Sequence, residues 1–401
     1  MNSIQRKARS VRHRRAVAEF VLPGHPDKLC DAVVDALVEW NTKRDPRGQC
    51  GLEAACVFDT IVVTGRMANR DAAAVEGLFD GELERCVTGV YRSAGYGVDA
   101  AGFRWGPDPE DIRILAKGLL RVGGFEEGER EMRHLSDDQA ICVGHAVRDP
   151  ESNYLPPAHW LARRIGRELF RLRLERGAGH VGPDGKVIVH GEIDAGTSVF
   201  RPTLVSISLN HHAGSDWLLL RSIAEEAVEI ACAGRALPDF VLNGAGMFVC
   251  GGPNGDNGLA GKKLVVDAYG PGVPIGGGAW SGKDFFKVDR LGGMAARRLA
   301  LESLLASDAH EATVTLSYLP GSDRPARVEL LLDGTGSTDV VVPHEFGALE
   351  SERLHDLFVA VECALPDLAR WGHQSANMPW ELRQTERLPA SQSHTVVFES
   401  S

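Results

Sequence analysis

The stretch GGGAWSGKDFFKVDR, residues 276–290, combines many glycines with charged side chains. Gly277 to Lys283 matches the G-x-x-x-x-G-K part of a P-loop, but Asp284 stands where that motif has the Ser or Thr that binds Mg²⁺. A P-loop also needs a helix directly after its lysine, whereas the helical spacing of apolar residues starts only near Val288. The stretch therefore predicts a phosphate-binding glycine loop of another kind.

The charged residues of this stretch suit such a ligand. Lys283, Lys287 and Arg290 are three bases close together, and Asp289 lies between them. Lysines neutralise phosphate charge, and a carboxylate can hold the metal ion that bridges phosphate oxygens. We expect a phosphate and metal site here, with a solvated surface charge run as the alternative.

A second glycine-rich stretch lies just upstream. GGPNGDNG (251–258) is followed by GKK (261–263), so one acid and two bases accompany the glycines. A backbone of this composition can approach a small polar ligand closely. An ordinary glycine-rich surface loop remains the alternative.

Near the start of the chain, GHPDK (24–28) opens a predicted helix at 26–40. Pro26 suits the first helical position, so His25 lies just outside the helix and Asp27 in its first turn. A helix N-terminus can bind an anion, and an aspartate there can hold Mg²⁺. Alternatively, Asp27 only complements the helix dipole and His25 only caps the helix.

The chain reads as three blocks that each mix strands with helices, which predicts α+β domains. Their expected limits are 19–110, 136–236 and 237–385, with a basic arm at 1–18, a gating loop or linker at 111–135 and a tail at 386–401. Further helices are predicted at 157–176, 217–233, 288–306 and 350–363, and strands at 53–58, 60–64, 203–210, 264–269, 312–318, 327–332 and 339–342.

Composition excludes several classes of function. A net charge of −11 over 401 residues argues against a nucleic-acid binder, which needs a broad positive face. No run is long and apolar enough for a membrane span. The eight cysteines form no CxxC pair, which favours free thiols in a cytoplasmic protein.

Taken in order, these segments resemble the S-adenosylmethionine synthetase family, also called methionine adenosyltransferases. The matching segments are GHPDK (24–28), DDQAICVGHAV (137–147), GGPNGDNGLAGKKLVVDAYG (251–270), GGGAWSGKDFFKVDR (276–290), WGH (371–373) and PWE (379–381). The resemblance implies three similar α+β domains around a pseudo-threefold axis. It also implies a homodimer with active sites between the subunits, and leaves open whether two dimers pair into a tetramer.

The resemblance further implies a reaction. The sulfur of a thioether, expected to be L-methionine, attacks C5′ of a nucleoside triphosphate, expected to be ATP. The triphosphate leaves and is hydrolysed to phosphate and diphosphate, and the site uses two Mg²⁺ ions and K⁺. A neutral thioether needs no general base, so the site has mainly to align the reactants and stabilise charge on the leaving group.

Roles can be carried over by motif. The resemblance places His25, Lys186, Lys283 and Lys287 in catalysis; Lys28, Phe248, Asp256, Lys262 and Lys263 against the nucleotide and its phosphates; Asp138, Arg66 and Asp256 beside the thioether; Asp27 and Asp289 on Mg²⁺; and Glu53 at the K⁺ site. His25 is expected to stabilise charge on the oxygen that leaves C5′, and Phe248 to pack on the base.

Two departures concern the thioether side. Arg66 stands where the family has a glutamate that contacts methionine, and a base there would repel the substrate ammonium. The thioether is then modified or differently oriented, or another acid supplies the contact. The family's Gln-Ser-Pro-Asp-Ile gating loop is replaced by KGLLRVGGFEEGERE at 117–131.

Smaller departures are Lys262 for an arginine, Met247 for an arginine and Ile275 for a histidine. The sequence therefore predicts a divergent synthetase. A specialised paralogue that uses another triphosphate or thioether, and a catalytically idle nucleotide-binding paralogue, remain as alternatives. A P-loop phosphotransferase is disfavoured by Asp284.

Overall fold

The structure is a computed structural model that describes residues 13–194, 197–360, 364–375, 378–382 and 393–397. Its strands are β1 (His13–Val21), β2 (Gln49–Val57), β3 (Thr60–Asn69), β4 (Gly97–Val98), β5 (Arg104–Trp105), β6 (Arg113–Leu115), β7 (Leu120–Gly124), β8 (Ala140–Val147), β9 (Val181–Asp194), β10 (Phe200–His211), β11 (Asp239–Leu242), β12 (Gly258–Leu259), β13 (Glu311–Tyr318), β14 (Arg327–Leu332), β15 (Thr335–Ser337), β16 (Asp339–Pro343) and β17 (Ser393–Val397). Its α-helices are α1 (Pro26–Thr42), α2 (Ala72–Glu76), α3 (Glu82–Ala94), α4 (Pro157–Arg176), α5 (Trp217–Cys232), α6 (Leu264–Asp267), α7 (Val288–Leu305), α8 (Ser351–Val359) and α9 (Leu365–Trp371).

Three of the sheets, each with helices packed on one face, form three α+β units. The β9 sheet has the order β1-β9-β10-β11 and packs against α4 and α5. The β2 sheet has the order β12-β2-β3-β6, with β7 also paired to β3, and packs against α1. The β13 sheet has the order β15-β14-β13-β8 and packs against α7. The predicted α+β class is confirmed.

Burial alternates along the sheet strands, as expected for strands with one face on a core. In β13, every second residue from Ala312 to Tyr318 is buried. Helix α1 differs, because it is covered on nearly all sides and buries four of its five charged residues, all except Glu39. Most of the buried apolar side chains form one core shared by the β2 and β13 units, and the β9 unit has its own.

The sheets are assembled from segments that are distant in the chain. Strand β1 pairs with β9, and β8, which the sequence suggested for the central domain, pairs with β13. Strand β12 crosses in the same way to pair with β2. The predicted domain limits stay predictions, but each unit contains strands from outside its own block.

Several predicted elements are confirmed. The helix predicted at 157–176 has those limits, and the helices predicted at 26–40, 217–233 and 288–306 are α1, α5 and α7 within two residues at each end. Strand β14 begins and ends where predicted, at 327–332. The helix predicted at 350–363 ends at Val359, and residues 361–363 lie outside the described part.

Three predictions are wrong in part. Residues 264–269 begin with helix α6 rather than a strand, because Asp267 N donates to Lys263 O in helical register. A short apolar run does not distinguish the two states.

Residues 13–18 of the predicted basic arm belong to β1, and 1–12 are outside the described part. The predicted loop at 111–135 contains β6 and β7, whose backbone pairs in parallel with β3. The predicted tail, 386–401, is described only at β17.

Candidate active site

Three aspartates on one face of α1 organise the site; they are Asp27, Asp31 and Asp35. Their spacing of four residues places them one above the other along the helix, and we call them the α1 carboxylate row. Each accepts a backbone N–H from a glycine-rich stretch, at 2.9 Å from Leu259, 2.7 Å from Gly261 and 2.9 Å from Gly282. A single helix therefore fixes both stretches that the sequence singled out.

The two glycine-rich stretches also touch each other. A Cβ at Gly261 would lie 2.7 Å from the Cβ of Ala279, and Gly261 has a φ of +78°, which favours glycine. A Cβ at Gly278 would collide with the carboxylate of Asp289. The absence of side chains at these glycines lets the backbone segments that carry the candidate lysines approach one another.

His25 caps α1 as a neutral imidazole. Its Nδ1 accepts a hydrogen bond from Asp27 N at 3.2 Å, so the ring proton lies on Nε2. Burial lowers the pKa of His25 to about 3, even though the charge of Asp27 acts in the opposite direction. The buried Nε2 has no hydrogen-bond partner among the described residues. It can therefore donate to an oxygen of a bound ligand.

Asp27 is paired with a lysine of the first glycine stretch. Lys263 Nζ lies 2.6 Å from one carboxylate oxygen of Asp27, and Lys262 Nζ lies 3.7 Å from the other. Burial would raise the pKa of Asp27, but the hydrogen bonds from Lys263 and Leu259 outweigh it and leave the pKa below its usual value. Asp27 is therefore an anion at neutral pH.

Other predicted residues lie around His25. The charges of Lys186 and Asp256 both act on its pKa, which places their side chains near the imidazole. Lys186 is exposed on β9, and Asp256 is exposed in the first glycine stretch. The Phe248 backbone is fixed because its N–H donates to His211 Nε2 at 3.1 Å.

The second glycine stretch carries two further lysine–carboxylate pairs. Lys283 Nζ lies 2.5 Å from Asp289, and Lys287 Nζ contacts Asp137. Asp138, the predicted thioether contact, is exposed beside Asp137. Like Lys263, both lysines are already neutralised by acids of the same chain.

Lys28 does not have its predicted role. Its side chain is fully buried, and its ammonium contacts Asp267, lies 2.7 Å from Ala369 O and is 3.6 Å from Asp31. Burial lowers the pKa of Lys28, but the carboxylates of Asp267 and Asp31 outweigh it and raise the pKa above its usual value. The ammonium holds α1 to its neighbours, which contradicts the predicted nucleotide contact.

Arg66 is neutralised by the segment that replaces the family's gating loop. It lies on β3 opposite Gly51, which forms a backbone bridge with Lys283. Its guanidinium is 2.6 Å from Glu129 and 3.5 Å from Glu126. Two acids therefore accompany the charge that was expected to repel the substrate ammonium.

Asp27 and Asp289 could bind Mg²⁺ together with substrate phosphates. Within the part of the chain that the structure describes, no group of three or more His, Cys, Asp or Glu side chains could hold a metal ion. Mg²⁺ is commonly bound by one or two carboxylates together with substrate phosphates. Asp27 and Asp289 provide such ligands beside lysines that suit the phosphates. Glu53, the predicted K⁺ residue, is exposed on the face of β2 turned away from α1.

Sequence reasoning missed Asp31 and Asp35, and it grouped Arg290 with the bases expected to meet phosphate, whereas Arg290 is fully buried and paired with Asp35. Arg290 binds both oxygens of Asp35, at 2.8 and 3.0 Å, and also donates to Lys283 O at 3.0 Å. All three side chains in the α1 carboxylate row are buried. The four-residue spacing of the aspartates on a predicted helix was the available signal.

An α+β fold with lysines, carboxylates and glycine-rich backbone at one site is typical of an enzyme that acts on a nucleoside triphosphate. Residues 14–108 match the S-adenosylmethionine synthetase N-terminal domain, and residues 250–381 match the C-terminal domain of that family. An S-adenosylmethionine synthase from Methylobacterium nodulans is 33% identical over 336 residues, which are 80% of this chain and 81% of that protein. One from Hyphomonas neptunium is 31% identical over 326 residues, with the same shares.

A solved structure agrees. An S-adenosylmethionine synthetase from Campylobacter jejuni, described as unusual, has a TM-score of 0.76 and 25% identity to this chain, and the match covers 93% of this chain and 98% of that one. The chain therefore belongs to the S-adenosylmethionine synthetase family. It is an enzyme of the methionine adenosyltransferase type, and the predicted resemblance is confirmed.

The α1 carboxylate row predicts a pH effect. Burial raises the pKa of Asp31 to about 7, although Lys28 partly offsets it, so folded Asp31 keeps a proton that the unfolded chain has lost. Stability should fall as pH rises from about 4 to about 7. Asp31→Asn removes this dependence, so its free energy of unfolding relative to wild type should increase with pH, by at most about 1.4 kcal/mol per pH unit.

Thermal unfolding from pH 5 to 8 measures this difference. Glu352→Gln is the control, because a hydrogen bond from Arg47 lowers the pKa of Glu352 and it does not titrate in this range. The Glu352→Gln difference from wild type should be flat. An equally flat difference for Asp31→Asn would contradict the assignment.

Proposed function

We propose that this enzyme joins the sulfur of L-methionine to C5′ of ATP, releases the triphosphate and hydrolyses it to phosphate and diphosphate. The observation that carries the proposal is the buried Nε2–H of His25, which has no hydrogen-bond partner in the described part of the chain and lies beside Asp27, itself paired with Lys263. A buried donor without a partner is costly unless a ligand satisfies it. A leaving oxygen of the triphosphate would do so.

The chemistry assigned to these residues is electrostatic. His25, neutral because of burial, donates a hydrogen bond to the oxygen that leaves C5′. Lys186, Lys263, Lys283 and Lys287 neutralise the charge that develops on the triphosphate. No side chain has to remove a proton, since a thioether sulfur attacks without losing one.

The remaining cofactor and ligand assignments rest on the same chemistry. Asp27 and Asp289 would hold Mg²⁺ with the phosphates, and the ion would supply further charge neutralisation. Glu53 would face K⁺, Phe248 and Asp256 the nucleoside, and Asp138 the thioether. Lys262 would lie beside the phosphates, where its point charge lacks the fork of an arginine.

We also propose a homodimer, on the evidence of exposed apolar residues on the sheets. The faces turned away from the helices carry Val17 and Ile188 in the β9 sheet, Val57 in the β2 sheet, and Ile141 and Leu331 in the β13 sheet, all at least 39% exposed. Sheet faces in contact with water are normally polar. A second copy would cover these residues, and whether two dimers associate stays open.

A cytoplasmic location is proposed as well. The cysteines for which the structure describes a state are free thiols, which is consistent with a reducing compartment. No described helix is long and apolar enough to cross a bilayer.

Mass spectrometry tests the proposed reaction. Purified enzyme with Mg²⁺ and K⁺ is given L-methionine and each of four nucleoside triphosphates, and a sulfonium product is expected from ATP. His25→Ala should reduce its formation by about 10² to 10³, which is typical for the loss of one donor to a developing oxyanion. His310→Ala, an exposed histidine on another surface, serves as the control. A product only from another triphosphate would contradict ATP as the substrate.

The Arg66–Glu129 pair favours a second candidate, a thioether other than methionine. If Arg66 sets that preference, Arg66→Glu should place a third acid beside Glu126 and Glu129 and improve kcat/KM for L-methionine over its N-acyl analogues, which lack the ammonium, by about tenfold, equivalent to roughly 1.4 kcal/mol. Arg121→Glu, a more exposed base on the neighbouring strand, is the control. An unchanged preference in Arg66→Glu would rule out this role.

A further inference from the structure

Several ion pairs fix the segment that follows β7, among them the following three. Glu129 binds Arg66 at 2.6 Å, and Arg130 lies 3.2 Å from Asp45. Arg133 contacts Asp284, and both of these side chains are almost completely buried. We call residues 126–134, which lie between β7 and β8, the tethered segment. Of these three pairs, Arg133–Asp284 is the one that reaches the second glycine stretch.

Asp284 is a junction between several backbone segments. One carboxylate oxygen accepts the N–H of Cys50 at 2.7 Å, and the other accepts the N–H of Phe286 at 2.8 Å and contacts Arg133. Cys50 lies on β2, and Phe286 lies between Lys283 and Lys287. The carboxylate therefore joins the β2 sheet to the backbone that carries two of the lysines proposed to bind phosphate.

Arg133 supplies the positive charge at this junction. Its guanidinium also lies 5.1 Å from the centre of the Phe286 ring, so it holds the turn by charge and by cation–π contact. A buried carboxylate without a counter-charge is strongly disfavoured. Without Arg133, Asp284 would move toward water and take the turn between the lysines with it, or it would take a proton and hold the N–H groups of Cys50 and Phe286 more weakly.

Gly51 on β2 also holds the turn that contains Lys283 and Lys287. Gly51, next to Cys50, forms a backbone bridge with Lys283, and a Cβ on Gly51 would lie 3.8 Å from Lys287 Cε. Gly51 is also the cross-strand partner of Arg66, which binds Glu129 of the tethered segment. Through Arg66, the tethered segment is therefore linked to Gly51, the same residue of β2 that lies beside the two lysines.

We propose that Arg133 is a positioning residue for triphosphate binding, which acts through Asp284 on Lys283 and Lys287. Affinity for the triphosphate then depends on the Arg133–Asp284 contact and not on the other ion pairs of the tethered segment. This inference rests on the proposed function, because it assumes that these lysines bind the triphosphate. It assigns to the segment a structural role in triphosphate affinity, separate from any contact with the thioether.

Calorimetric titration in Mg²⁺ with the non-hydrolysable imido analogue of tripolyphosphate tests the proposal without turnover, since the proposed activity would hydrolyse tripolyphosphate itself; this analogue is the tripolyphosphate of the tests below. Arg133→Met should weaken tripolyphosphate binding at least tenfold and raise KM for the nucleoside triphosphate similarly, with KM for the thioether changed less than threefold. Arg130→Met is the matched control, because it releases the same segment from Asp45 and leaves Asp284 paired. It should bind tripolyphosphate within threefold of wild type.

A second variant covers the case in which Arg133→Met does not fold. Arg133→Met combined with Asp284→Asn removes both buried charges, and it should also weaken tripolyphosphate binding, while Arg133→Lys should recover part of the affinity. Binding within threefold of wild type in Arg133→Met or in the double variant would overturn the proposal, as would an equal loss in Arg130→Met. If the wild type itself did not bind tripolyphosphate, the proposed phosphate site would be wrong. This result is distinguishable from either outcome for the variants.

Discussion

The α1 carboxylate row is the constraint on which the rest of the site depends. Asp27, Asp31 and Asp35 accept backbone N–H groups from two stretches that lie more than 220 residues away in the chain. The aspartates are buried, so they require counter-charges. Lys263, Lys28 and Arg290 supply these charges. The structure thereby links the start of the first helix to the glycine-rich backbone that carries the lysines.

In the unliganded site, the charges of the lysines are therefore neutralised by carboxylates of the same chain. Lys263, Lys283 and Lys287 each contact a carboxylate, so a triphosphate alone has to displace acids from the lysines. A divalent cation alone has to displace lysines from two of these acids, Asp27 and Asp289. If both ligands bound as proposed, Asp27 and Asp289 would exchange their lysines for metal, and the three lysines would exchange their acids for phosphate. The charges then remain balanced, which predicts mutual reinforcement of metal and phosphate binding.

Much of this arrangement was accessible from sequence, and the exceptions have physical reasons. The helix from Pro26 and the two glycine stretches are local patterns, and they were found. Lys28 was carried over to the nucleotide by motif, but it points about 100° away from Asp27 around the helix and contacts Asp267 and Ala369 O in the interior. The pairing of β1 with β9 and of Arg133 with Asp284 depends on contacts distant in the chain, which local periodicity does not contain.

The coupling of metal and phosphate is the central claim, and it can be measured by calorimetry. The non-hydrolysable imido analogue of tripolyphosphate is titrated into the enzyme at constant ionic strength with and without Mg²⁺, after correction for the complex that it forms with Mg²⁺ in solution. We expect Mg²⁺ to tighten binding at least tenfold, equivalent to about 1.4 kcal/mol of coupling, and Asp289→Asn to lose most of this effect. Equal affinities with and without Mg²⁺, or an unchanged effect in Asp289→Asn, would contradict the account.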